Sequence, residues 1–184
     1  MGITPPDRKE LLKFIGPPLA ESFEKYFSLT TEEAYKAVDI YREYFAPKGK
    51  FENTLFDGVP EMLSSLKKSG KKIVLATSKP IVFADEILKH FKLFEFFDLT
   101  VGSNLDGSLT NKAEVIAVAL KRLGDVNKET TVMVGDRSHD VIGGVKNGLF
   151  TVGVTFGYGS EEELKAAGAN HIVHSVKELT EFLI

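Results

Sequence analysis

From Gly58 onward the chain keeps alternating between two patterns, and this limits its fold more than any other feature. Short β-branched runs at Lys72 to Ala76, Leu99 to Val101, Thr131 to Val134, Thr151 to Val154 and His171 to Val173 are separated by amphipathic stretches of helical length. That alternation is the signature of βαβ units, in which a helix crosses over between strands that run parallel. The first part of the chain is different. Between Asp7 and Phe45 the apolar residues recur at helical spacing: Leu11, Leu12, Phe14 and Ile15, then Leu19, Phe23, Tyr26 and Phe27, then Ala34, Ala37, Val38, Tyr41 and Phe45. Breaks fall at Gly16-Pro17-Pro18, at Ser28 to Thr31 and at Pro47-Lys48-Gly49. The expectation is a small helical unit over residues 1–50 followed by an α/β unit over 51–184.

Composition removes several classes of function. At 184 residues and 43% hydrophobic, the chain can bury a core and fits one domain with a small appendage. Its 23 Lys and Arg against 26 Asp and Glu give a net charge of −3 with no sustained run of either sign, which argues against a nucleic-acid partner. No apolar run approaches the roughly 20 residues of a membrane span. The absence of cysteine removes disulfides, thiolate zinc sites and a cysteine nucleophile together. No leader-like start is visible, and Met-Gly-Ile-Thr-Pro-Pro fails the myristoylation pattern at Pro6. A cytoplasmic location is expected.

The chemistry gathers at predicted strand ends. The apolar run Thr131 to Val134 leads into Gly-Asp-Arg-Ser-His-Asp at 135–140, which opens a helix through Asn147. Asp136 and Asp140 therefore stand at the carboxyl edge of a parallel sheet, where α/β proteins bind ligands. Paired carboxylates are hard oxygen ligands suited to Mg²⁺. A plainer reading is also open, in which Asp136 only ends a strand, Ser138 caps the helix and Asp140 complements its dipole. The first strand ends in Thr77-Ser78-Lys79-Pro80, which offers a hydroxyl, further polar groups and the amides of a helix start, all good partners for phosphate oxygens. Lys112 precedes the helix Ala113 to Leu123, after the turn-rich segment 103–108, and its ammonium can reach the same edge. Hydroxyl, ammonium and two carboxylates on one edge describe a site for a phosphoryl group and a divalent metal.

With these residues the chain resembles the haloacid dehalogenase-like phosphatases, in particular the phosphoglycolate phosphatase-type branch with a small helical cap. The similarity runs along the chain: FIGPPL, YREYF, LFDGVPEML, VLATSKP, GSNLDGSLTNKAEVI, GDRSHD and GVTFGYGSEEEL. The resemblance implies a Rossmann-like core and a cap truncated at its amino-terminal side. It implies catalytic roles for Thr77 and Lys112, substrate contacts at Ser78, Lys79 and Asn111, and Mg²⁺ at Asp136 and Asp140. Arg42 and the Gly16-Pro17-Pro18 turn become candidates for gripping the leaving group. The implied activity is phosphomonoester hydrolysis through an aspartyl-phosphate, on a small phosphorylated metabolite.

One family motif is missing. These phosphatases open with an apolar strand ending in DxDxT, which supplies the nucleophile and the general acid/base, and residues 1–184 contain no such string. Leu55-Phe56-Asp57-Gly58 matches the return from cap to core, and Leu105-Asp106-Gly107-Ser108-Leu109-Thr110 has a single aspartate, so neither Asp57 nor Asp106 is expected to be the nucleophile. In the family's strand order the missing strand is central. Its loss would leave two inner strand edges without partners, which invites self-association. A truncated gene, a segment supplied by another chain and a rearranged core are the competing explanations. A non-catalytic phosphate-binding protein is the alternative function. A metal-independent dehalogenase fits the paired acids less well.

Overall fold

A computed structural model describes residue 4 and residues 6–184. Met1, Gly2, Ile3 and Pro5, on which much of the leader and acylation reading rests, lie outside the described residues. The chain divides into two compact units, residues 1–53 and 54–184. In the first, a short helix α1 (Arg8–Leu11) is followed by α2 (Leu19–Phe27) and α3 (Thr31–Phe45). A reciprocal cap starts α3: Thr30 Oγ1 accepts from the Glu33 amide at 3.3 Å and the Glu33 carboxylate accepts from the Thr30 amide at 2.9 Å. Helices α2 and α3 pack together, burying Ser22, Ala34, Ala37 and Val38. The Phe14 ring lies 5.2–5.7 Å from those of Phe23, Tyr26 and Phe27. Helical spacing in the sequence has become one apolar stripe.

The second unit carries out the alternation. It runs α4 (Val59–Lys68), β1 (Val74–Pro80), α5 (Ile81–His90), β2 (Leu99–Ser103), α6 (Lys112–Leu123), β3 (Val132–Gly135), α7 (Ser138–Lys146), β4 (Phe150–Val154), α8 (Glu161–Ala166), β5 (His171–Val173) and α9 (Val176–Leu183). Every strand pairing is parallel, as the crossover helices require. The expected strand at 72–76 lies two residues later and continues through Pro80, with a register shift against β2 between Ala76 and Pro80.

The strands form two sheets, β1-β2 and β3-β4-β5, instead of the single sheet expected from the alternation. In the family's strand order the missing strand lies between β1 and β3, which here belong to different sheets. Each of those two strands has a hydrogen-bonded neighbour on one side only among the described residues. Burial follows the same division. All residues of β1 and β3 are half-buried, whereas the last three of β2 and the last four of β4 are buried. In a continuous parallel sheet the inner strands would be the most buried.

Each sheet has its own core. Val101, Val115 and Ala119 pack with Val74, Ala76 and Leu99 on one side; Val152, Val154, Val173 and Leu179 pack with Met62, Val132 and Val134 on the other. Helices α6 and α7 join the two halves and approach closely. A β-carbon at Gly143 would lie 2.9 Å from Lys112 Cγ and 3.0 Å from Ile116 Cδ1, and one at Gly144 would lie 2.5 Å from Thr151 Cγ2. Asn147 fastens the joint by donating to the Ala113 carbonyl at 3.0 Å.

Candidate active site

The carboxyl ends of β1 and β3 face the joint between α6 and α7, and one side chain links them. Lys112, the first residue of α6, donates from Nζ to the Ala76 carbonyl at 2.9 Å and forms an ion pair with Asp140 Oδ1 at 2.9 Å. Both side chains are largely buried, 13% and 11% exposed. The other oxygen of Asp140 accepts from the Arg137 amide at 3.1 Å. Contacts therefore run from the peptide before Thr77, through Lys112 and Asp140, to the peptide after Asp136. The structure brings Thr77, Lys112, Asp136 and Asp140 to one edge.

The remaining predicted residues take up distinct positions. Thr77 Oγ1 accepts from the Lys79 amide at 3.1 Å, a local bond that shapes the end of β1. Ser78 lies within β1 and is half-buried. Burial pushes the Lys79 ammonium below its ordinary value of 10.5. Asn111 caps α6, its Oδ1 accepting from the Ala113 amide at 2.9 Å. Arg42 belongs to α3 in the first unit, 3.8 Å from Asp39. Ser138 is the first residue of α7 and not its cap; the residue before the helix is Arg137, whose amide Asp140 holds. Asp106 is occupied in a turn, accepting from the Ser108 amide at 2.9 Å and its hydroxyl at 2.7 Å, bonds that hold its carboxyl below the ordinary range. Asp57 is exposed in the turn before α4.

Two features of the site were missed in the sequence, and both come from the segment after β4. The Tyr158 amide donates to Asp136 Oδ2 at 2.8 Å. Glu163, on α8, takes the Arg137 guanidinium at 3.0 Å and the Ser138 amide at 2.8 Å on one oxygen. Burial alone would raise the Glu163 carboxyl, but the hydrogen bonds from Ser138 and Arg137 and the Arg137 charge leave it below its ordinary 4.5. With the folded value lowered, the unfolded chain binds more protons in that window. The stabilisation by Glu163 is thus complete above about pH 4.5 and is lost as pH falls through the folded value. Urea midpoints measured from pH 6 to pH 3 should fall less steeply in Glu163→Gln than in the wild type; identical acid limbs would show that Glu163 carries no such linkage.

Asp136 fits a divalent cation. The Tyr158 amide occupies one carboxylate oxygen and leaves the other as a hard donor, and the missing side chain of Gly157 makes room for the Asp136 side chain itself, since a β-carbon there would lie 2.3 Å from Asp136 Cβ. No group of three or more acidic, histidine or cysteine side chains gathers among the described residues. Mg²⁺ needs no such group, because it typically takes one or two carboxylates and fills its shell with water and phosphate.

Parallel strands, crossover helices, a lysine tied to an acid and a second acid at a strand end place a polar, charged cluster at the edge where parallel α/β proteins bind their ligands. The chain belongs to the haloacid dehalogenase-like hydrolases, whose family model matches residues 1–154. It is 42% identical over 183 residues to a 5'-nucleotidase of Pseudomonas aeruginosa, across all of this chain and 82% of that protein. It is 35% identical over 185 residues to the tyrosine-protein kinase PtkA of Mycobacterium tuberculosis, of which it spans 62%. A crystal structure of a predicted phosphatase from Clostridium acetobutylicum superposes with a TM-score of 0.95 at 51% identity, over 98% of this chain and 83% of that one.

Proposed function

We propose that this protein is the Mg²⁺-dependent part of a phosphomonoester hydrolase that acts on a small phosphorylated metabolite. The observation that supports this reading is the run of contacts from the Ala76 carbonyl through Lys112 and Asp140 to the Arg137 amide, next in the chain to Thr77 and Asp136. Thr77 and Lys112 hold and neutralise the phosphoryl oxygens, the positioning and charge stabilisation that phosphoryl transfer chiefly needs. Ser78, Lys79 and Asn111 are proposed as further substrate-binding residues, with Arg42 as the candidate from the helical unit. Asp136 holds the metal, and Asp140 either joins it there or keeps Lys112 in place. When bound, Mg²⁺ offsets the charge of the phosphoryl group. In the family mechanism an aspartate attacks phosphorus to give an aspartyl-phosphate that water hydrolyses, and residues 1–184 supply no DxDxT for that step. The leaving group stays open between phosphoglycolate, a nucleoside monophosphate and a sugar phosphate, because this arrangement handles the phosphate and not what it is attached to.

The absence of DxDxT favours a second reading, a protein that binds phosphate without turning it over. Binding of inorganic phosphate, titrated calorimetrically with and without Mg²⁺, tests both together with hydrolysis of p-nitrophenyl phosphate. Asp136→Asn is expected to abolish the Mg²⁺ dependence of each while leaving the protein folded, because it neutralises a ligand at a strand end and leaves both cores alone. Unchanged Mg²⁺ dependence would remove Asp136 from the site. No helix among the described residues is long and apolar enough to cross a membrane. A cytoplasmic setting without membrane or nucleic-acid partners, and self-association through the open strand edges, belong to the same proposal.

A further inference from the structure

The segment after β4 closes on the turn after β3 more tightly than packing alone requires. A β-carbon at Gly157 would lie 2.3 Å from Asp136 Cβ and 2.4 Å from its Oδ2, and one at Gly159 would lie 2.0 Å from the Asp136 carbonyl oxygen. Seven described glycines have positive φ, and neither Gly157 nor Gly159 is among them. Their lack of a side chain is therefore a matter of space and not of backbone conformation. Between them the Tyr158 amide donates to Asp136 Oδ2 at 2.8 Å, while the residue as a whole is 56% exposed. The main chain does the holding and the ring does not. Beyond Gly159, Ser160 caps α8 by accepting from the Glu163 amide at 3.1 Å, and Glu163 returns to Arg137 and Ser138. The turn 136–138 is thus gripped at its carboxylate and at the two residues that follow.

We infer that Gly157-Tyr158-Gly159 is the positioning element for the cation-binding carboxylate of Asp136, acting through the Tyr158 amide. The inference rests on the reading of Asp136 as a metal ligand. A free carboxylate rotates about its Cβ–Cγ bond and loses that freedom when it binds a cation. Fixing one oxygen beforehand removes part of that loss and presents the other, as the groups behind metal ligands generally do. Glycine is required on both sides because any side chain would push the amide out of reach.

Mn²⁺ serves as the probe, titrated into the 184-residue protein and followed by electron paramagnetic resonance. Asp136→Asn is expected to weaken Mn²⁺ binding by about tenfold or more, and Gly157→Ala and Tyr158→Pro by about tenfold, the usual effect of removing a group that supports a ligand. Tyr158→Pro, which deletes the amide hydrogen, should be the weaker binder when set against Tyr158→Ala, which deletes only the ring. Equal losses in that pair would assign the effect to the ring and overturn the inference. If Asp136→Asn weakens binding while folded Gly157→Ala and Tyr158→Pro do not, Asp136 remains the ligand and the positioning role fails. If Asp136→Asn binds as the wild type does, the metal reading falls and takes the inference with it. Should the loop variants not fold, hydrogen exchange of the Tyr158 amide is followed by NMR instead. It should be markedly faster in Asp136→Ala, which removes the acceptor, than in the wild type, and equal exchange in the two would overturn the inference.

Discussion

Replacing Lys112 with alanine is expected to destabilise the protein by about 3–5 kcal/mol, the largest effect of any single substitution at the site. Removing one member of a buried pair leaves the other as an uncompensated charge. Here the buried Asp140 carboxylate would keep the Arg137 amide but lose its cation, and the Ala76 carbonyl would lose its donor. The stem of Lys112 also fills the space that Gly143 leaves open. Lys112→Met keeps the stem and removes the charge, so comparing the two variants by urea denaturation separates packing from electrostatics. The double variant Lys112→Met/Asp140→Asn should recover much of the loss, since neither charge is then left alone. A cost for Lys112→Ala below about 1 kcal/mol, typical of exposed pairs, would show that the bridge does not tie the halves together. The same variant should bind inorganic phosphate more weakly, by the loss of a charge-assisted contact.

Residues 1–184 alone are expected to hydrolyse p-nitrophenyl phosphate at no more than a trace rate, and to respond to a peptide that supplies a strand. Losing a covalent nucleophile together with its acid/base removes several orders of magnitude in rate. The divided sheet makes a specific demand: β1 and β3 each have one edge without a strand partner among the described residues, and all their residues are only half-buried. A synthetic peptide with an apolar run ending in DxDGT should raise the melting temperature in a concentration-dependent way, by mass action on the folded state. A scrambled peptide should not. Restored Mg²⁺-dependent turnover would complete the result. High metal-dependent activity from a monomer without peptide would instead make Asp57 or Asp106 the nucleophile, and Asp106 would first have to leave its turn with Ser108.

How much of this could be read beforehand depends on how local the signal is. β5 lies at the expected His171 to Val173, because a β-branched run between turn residues sets its own limits. β1 does not, since its second half, Thr77-Ser78-Lys79-Pro80, is polar and is held in the strand by pairing with β2 across a register shift that no periodicity reports. The split of the sheet was foreseeable only through the family's strand order, because nothing in β1 or β3 themselves shows which edge lacks a neighbour. Asp136, Asp140, Lys112 and Thr77 could each be picked out at a strand or helix end. The Lys112–Asp140 pair could not, since two residues 28 positions apart meet only through the packing of α6 on α7. Glu163 and the Tyr158 amide were missed for a similar reason. A backbone donor has no side-chain signature, and the one available signal, two glycines at 157 and 159 flanking a single residue, looks like an ordinary turn.

The paired glycines of α7 restrict how this protein can be made more robust. Exchanging glycine for alanine within a helix is a common stabilising step, worth up to about 1 kcal/mol through helix propensity and a less flexible unfolded chain. At Gly143 and Gly144 the added methyl would come within 2.9 Å of Lys112 and 2.5 Å of Thr151, so the exchange would push α7 away from α6 in the one case and from β4 in the other. Attempts at thermal hardening therefore have to look elsewhere, for example to the exposed face of α9 or the loop before β3; an evolutionary path that enlarges Gly143 must first loosen the tie between the two sheets, and one that enlarges Gly144 must lift α7 off its own sheet.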